Sequence, residues 1–145
     1  MSIAVTKVEV ASPALLEGLN SLLPQLSSSA GVLTMGDVEV MVKSDAATLF
    51  VACNGDVIVG TLTLVIFPIP TGLRGWIEDV VVDEDARGLG IGEALTRAAL
   101  EEARVRGVRS LDLTSRSSRE AANALYQKLG FERRETNVYR FDIES

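Results

Sequence analysis

The chain has 145 residues, 47% of them hydrophobic, with 12 glycines, four prolines, one cysteine, no histidine and a formal net charge of −6. That length is enough for one real core, the mixture is too apolar for disorder, and the longest apolar stretch, Thr61 to Pro70, falls well short of the ~20 residues a bilayer span needs. Without histidine a Ser-His-Asp hydrolase is excluded and a zinc site is disfavoured; the acidic balance disfavours nucleic acid and mildly favours a cationic acceptor such as an amine.

The opening residues MSIAVTKVEV hold no basic region followed by a hydrophobic block, so no signal peptide is expected. The lone Cys53 reads as a small buried hydrophobe and fits a reducing, cytoplasmic setting. No repeat, linker or low-complexity segment interrupts the chain, and residues 1–145 read as a single domain. Ile3–Val10 alternates apolar and polar residues, the pattern of an opening strand. Ser12-Pro13 then offers an N-cap and a first-turn proline for a helix running to about Gln25, with leucines at 15, 16, 19, 22, 23 and 26 on its apolar face. Ser27–Gly31 reads as loop and Asp37–Ser44 as a short helix.

Two β-rich runs, Thr48–Cys53 and Val57–Phe67, flank Asn54-Gly55-Asp56, a strong hairpin signal. A turn over Pro68–Gly72 leads to a strand over Arg74–Val82. After Asp83–Arg87, a long helix from Gly90 to Arg106 carries Ile91, Ala94, Leu95, Ala98 and Ala99 on one side and Glu93, Arg97 and Glu101 on the other. Gly107 sits at its C-cap position. Ser110–Thr114 is predicted as a strand, Ser118–Leu129 as a helix closed by Gly130, and Phe131–Arg134 and Val138–Ile143 as the last strands. The result is a mixed α/β (α+β) domain with a largely antiparallel sheet of about seven strands and about four helices.

The most informative segment is Val80–Gly92, VVVDEDARGLGIG, where a strand breaks into a glycine-rich turn that opens a helix. Glycines let backbone approach a ligand closely, and the first turn of a helix presents unpaired N–H groups at the positive end of its dipole. Together they form a cradle for phosphate oxygens, with Arg87 adding a fixed positive charge. A simple tight turn would explain one or two glycines, but not three in five residues after an arginine. The dinucleotide fingerprint G-x-G-x-x-G fails, because Glu93 or Leu95 stands where its last glycine belongs, and the P-loop fails for want of any Gly-Lys pair.

Arg87-Gly88-Leu89-Gly90-Ile91-Gly92 resembles the R/Q-x-x-G-x-G/A signature of the GNAT superfamily of N-acetyltransferases. At the expected distance downstream, Ala121-Ala-Asn-Ala-Leu-Tyr126-Gln-Lys-Leu-Gly130-Phe131 resembles that family's closing A-x-x-L-Y-x-K-x-G-F segment. The resemblance implies a GNAT-type fold and acetyl transfer from acetyl-CoA to a primary amine of a small molecule or peptide, by direct attack in a ternary complex and without a metal. It implies that backbone N–H groups from Arg87 to Gly92 hold the pyrophosphate, and that Val80, Val81 and Val82 pair strand-like with the pantetheine arm. The Val80 N–H would face the thioester oxygen, where developing charge needs a donor.

Tyr126 is then the candidate general acid, since a phenol with pKa ~10 is protonated at neutral pH; the alternative is a core tyrosine packed with Leu125 and Leu129. Glu78 is the candidate base, against a solvated carboxylate with water in its place, and strand alternation allows only one of Glu78 and Asp79 to face the cleft. Arg119 and Asn123 could touch cofactor phosphates or adenosine, or simply solvate a helix start; Arg119 stands where family members often carry asparagine. Glu78–Val82 also resembles the corresponding strand of glucosamine-phosphate N-acetyltransferases. No membrane or nucleic-acid partner is expected, and Ile66–Ile69 could meet a second copy in a homodimer. A catalytically idle acetyl-CoA-binding sensor is the competing reading.

Overall fold

The computed structural model describes residues 2–144. They fall into two compact units, one through Leu113 and one from Thr114. The first unit contains β1 (Ile3–Lys7), α1 (Pro13–Leu26), α2 (Met35–Lys43), β2 (Ala47–Asn54), β3 (Val57–Ile69), β4 (Gly72–Val82), a 3-10 turn (Glu84–Ala86), α3 (Ile91–Val105) and β5 (Ser110–Asp112). The strands lie side by side in chain order, antiparallel throughout except for the parallel pair β4–β5.

Local chemistry explains where these elements begin. Ser12 Oγ accepts from the Leu15 N–H at 3.1 Å, and Pro13 occupies a helical position where no amide hydrogen is required. Helix α2 starts two residues before the expected Asp37, because a capping box forms one turn earlier. Thr34 Oγ1 accepts from the Asp37 N–H at 3.2 Å, and the Asp37 carboxylate accepts from the Thr34 N–H at 2.8 Å. Those bonds hold the Asp37 carboxyl below its ordinary pKa. Between β2 and β3 the chain reverses through Gly55-Asp56, with Gly55 at φ +61°. The β3–β4 turn is tighter than expected: pairing continues to Ile69↔Gly72, leaving only Pro70 and Thr71 to connect the strands.

The sheet is covered on both faces. Leu15 and Leu19 of α1 and Val38 of α2 pack with Leu49 and Val51 of β2. Cys53, expected in the core, is half-buried at the margin of this cluster, where burial and then Asp56 push its thiol pKa up. Alternation along β2 and β3 puts Ala52 and its partner Gly60 on the opposite face. There α3 rests almost on the backbone: a Cβ at Gly60 would stand 3.0 Å from Ile91 Cγ2 and 3.2 Å from Leu95 Cδ1. Leu62, Leu64, Ile91 and Leu95 are fully buried.

The second unit contains α4 (Glu120–Lys128), which ends at Leu129 and a left-handed Gly130 with φ +103°. The two strands expected after it do not form, so the described sheet has five strands rather than seven. Alternating residues offer an apolar face, but a strand also needs a neighbour for its N–H and C=O groups. No backbone hydrogen bond is made by residues 132–144 among the described residues, and Val138, Tyr139, Phe141 and Ile143 stand exposed. The four α-helices among the described residues agree with the expectation from the sequence.

Candidate active site

Strand β4 is paired on both edges for only part of its length. Arg74↔Ser110, Gly75↔Leu111 and Trp76↔Asp112 complete its ladder with β5, and from Ile77 to Val82 it keeps β3 alone. The Asp83 N–H donates to Val59 O at 2.8 Å. Successive strand residues turn their polar groups to alternate edges, so Val82 offers its N–H and C=O to the open edge. An extended ligand with amides of its own could add there as a further strand. Below the parting point Arg74 pairs with Asp112 and lies 5.8 Å from the Trp76 ring centroid.

A bulge interrupts this open stretch. Glu78 pairs with Thr63 and Val81 with Thr61, so Asp79 and Val80 together oppose Leu62. Asp79 carries φ +49°, the only positive φ outside glycine among the described residues; aspartate tolerates this region better than most side chains. The bulge breaks the simple alternation expected for Glu78 and Asp79, and both are exposed. Sequence reasoning missed it. The signal was a pair of adjacent carboxylates inside an otherwise apolar strand.

Beyond β4, Asp83 Oδ1 accepts from the Asp85 N–H at 3.2 Å and Gln25 Oε1 accepts from the Glu84 N–H at 2.9 Å. These bonds anchor the start of the loop. Arg87 is extended, Gly88 has φ +82°, and Gly90 is the N-cap of α3 with φ +76° and ψ 17°. A Cβ built on Gly88 or Gly90 would meet nothing within 4 Å. Both glycines are therefore needed for backbone direction, and the space beside them is open to a ligand. No side chain caps α3, so the amides of its first turn keep their hydrogens for an external acceptor. Arg87 is exposed and belongs to none of the four ion pairs among the described residues. Uncapped amides, a helix dipole and a free guanidinium suit a pyrophosphate.

Three predicted residues lie in the second unit. Tyr126 is buried, edge-on to Phe131 with centroids 5.7 Å apart, and the Phe131 N–H closes the turn onto Tyr126 O at 2.9 Å. Burial raises its phenol pKa, partly opposed by the Arg119 charge. Asn123 Nδ2 donates to Arg116 O at 2.9 Å, which stitches the start of α4 to the residues before it. Arg119 is the exposed N-cap residue and supplies no side-chain cap.

The model of the acetyltransferase (GNAT) family matches residues 18–131. The chain belongs to the GNAT family of acetyltransferases. Its fold is the family's α+β arrangement. A mycothiol acetyltransferase of Saccharomonospora viridis is 45% identical over 64 residues, 44% of this chain and 21% of that protein. Glucosamine 6-phosphate N-acetyltransferase 1 of Oryza sativa subsp. japonica is 46% identical over 68 residues, 47% of this chain and 39% of that protein. The matched segments thus span well under half the length of these relatives. A solved Bacillus halodurans C-125 protein named as a transcriptional regulator superposes with TM-score 0.82 at 30% identity, covering 96% of this chain and all of that one. Among the described residues of this GNAT chain, no helix is long and apolar enough to cross a membrane.

Proposed function

We propose that this chain transfers an acetyl group from acetyl-CoA to a primary amine of a small molecule or peptide, by direct attack within a ternary complex. The observation that carries the reading is the head of α3, where Gly88 and Gly90 turn uncapped amides toward open space beside an unpaired Arg87. The amides of residues 87–92 and the Arg87 guanidinium hold the pyrophosphate. The open edge of β4 at Val80–Val82 receives the pantetheine amides, and the Val80 N–H is the donor for the thioester oxygen. Acetyl-CoA, when bound, supplies the activated acyl carbon and a thiol leaving group.

Tyr126 holds a proton at Oη, and its raised pKa keeps the proton there at neutral pH, ready for the departing sulfur. Glu78, exposed at the bulge, takes the amine proton directly or through water. Arg119 assists at the phosphates, while Asn123 serves mainly to start α4. The family match runs across both compact units, which supports one acetyltransferase domain over residues 1–145. Mycothiol and glucosamine 6-phosphate enzymes among the relatives favour a small-molecule amine as acceptor.

A second reading, an idle acetyl-CoA sensor, draws support from the neighbour named as a transcriptional regulator. Free-thiol release from acetyl-CoA against a panel of sugar amines, polyamines, aminoglycosides, amino acids and short peptides separates the two. Turnover with one class, reduced about 100-fold or more by Tyr126→Phe at unchanged cofactor affinity, supports the enzyme. Tight binding with no turnover supports the sensor, and absence of cofactor binding overturns both.

A further inference from the structure

Helix α1 reaches the glycine-rich loop through one side chain. Gln25 is the second-last residue of α1. Its Oε1 accepts from the Glu84 N–H at 2.9 Å, and its Nε2 donates to Asp83 Oδ1 at 3.5 Å. A carboxamide suits this pair of partners, because it offers an acceptor and a donor on one rigid plane. The clasp springs from a fixed base. Leu15, Leu19 and Leu22 root α1 in the core, and the Ser27 N–H closes its last turn onto Leu23 O at 3.1 Å. Both bonds lie within the first compact unit.

The loop it grips has little else to hold it. From Val82 to Gly90 only Ala86 is buried. The Asp83 N–H donates to Val59 O, the Ala86 N–H to Asp83 O and the Asp85 N–H to Asp83 Oδ1. All three bonds run through Asp83, one of the two residues that Gln25 touches. The geometry points to Gln25 as a positioning residue that sets the pyrophosphate loop from the sheet face opposite α3, so that its amides are ordered before the cofactor arrives. Ordering done in the free protein is not subtracted from the binding free energy. The inference rests on the proposed use of this loop for acetyl-CoA. Asn20, five residues earlier, makes an equivalent clasp elsewhere: its Nδ2 donates to Leu33 O at 3.1 Å, and its Oδ1 accepts from the Leu33 N–H at 2.8 Å. The two carboxamides share a helix but hold different segments, so the aim of the loop can be separated from the stability of α1.

Gln25→Met tests it, since methionine keeps the length and helix propensity of the side chain while removing both bonds. In amide hydrogen exchange of the free protein, residues 84–90 should lose protection about tenfold while the body of α3 keeps its own. The Kd for acetyl-CoA, by calorimetry, should rise about tenfold. Gln25→Glu keeps the acceptor for Glu84 but sets a second carboxylate against Asp83, so affinity should fall further at neutral pH. Asn20→Ala should lower the Tm and leave acetyl-CoA affinity unchanged. Unaltered loop protection in Gln25→Met, unaltered acetyl-CoA affinity in that variant, or an equal loss of affinity in Asn20→Ala would overturn the inference. A wild-type chain that binds no acetyl-CoA would instead fail the proposed function itself, and this inference with it.

Discussion

Helices α2 and α3 begin in opposite ways, although both sit on the same sheet. At α2 the chain closes its own end: Thr34 and Asp37 exchange two backbone-to-side-chain hydrogen bonds, which satisfy the amides of both residues. At α3 the N-cap is a left-handed glycine with no side chain to offer, and no side chain caps the first-turn amides. A capped start strengthens a helix, whereas an uncapped start in a built loop reserves its donors for something else. The difference teaches that, under the proposed function, the missing cap at α3 is itself the binding device. It also separates substitutions that should cost stability from those that should cost ligand affinity.

The strongest way to break that contrast is Gly90→Val. A β-branched residue at φ +76° is strained, and relief of the strain would rotate the amides away. Acetyl-CoA affinity should fall about 100-fold by calorimetry, equivalent to about one or two charge-assisted hydrogen bonds; unchanged affinity would mean that the loop is only a turn. Removing the charge alone by Arg87→Ala should weaken binding about tenfold and flatten its salt dependence. Ser12→Ala, at the capped helix α1, should lower stability by about 1 kcal/mol in thermal unfolding while leaving cofactor affinity untouched.

The smallest expected effect is one of pH. The Tyr126 pKa is raised in the folded chain, so its contribution to stability is fully present below the unfolded phenol value of ~10 and is lost as pH rises through the folded value. Between pH ~7 and ~9 the proton should stay in place. The alkaline side of a kcat–pH profile should therefore be flat over that range, and a limb below pH ~9 would exclude Tyr126 as its source.

Local features were readable and mutual ones were not. Arg87, Gly88, Gly90 and Gly92 announce the loop because backbone direction at a glycine is a property of a few consecutive residues. Asn54-Gly55 fixes its hairpin for the same reason. The bulge at Asp79 escaped because it depends on register against Thr61 and Thr63, which no single strand specifies. The capping box at Thr34 was present in the sequence but was overshadowed by the apolar pattern that begins after Asp37. Residues 131–143 were over-read as two strands, since alternation describes only one side of a ladder. Tyr126 was singled out from its motif and is buried, as its core-tyrosine alternative expected. The open edge of β4 was implied by the family resemblance and not by the local residues, because it follows from where β5 stops.

Gly60 has a consequence for the loop some thirty residues downstream. With α3 seated directly on the β3 backbone there, the height of that helix above the sheet is set by the absence of one methyl group. Alanine at this position would need Ile91 and Leu95 to give way by a few tenths of an ångström. Ile91 is the first residue of α3, so the amides proposed to hold phosphate would be carried along with it. The aim of the proposed anion site is thus calibrated from beneath, by a residue that no ligand need ever touch.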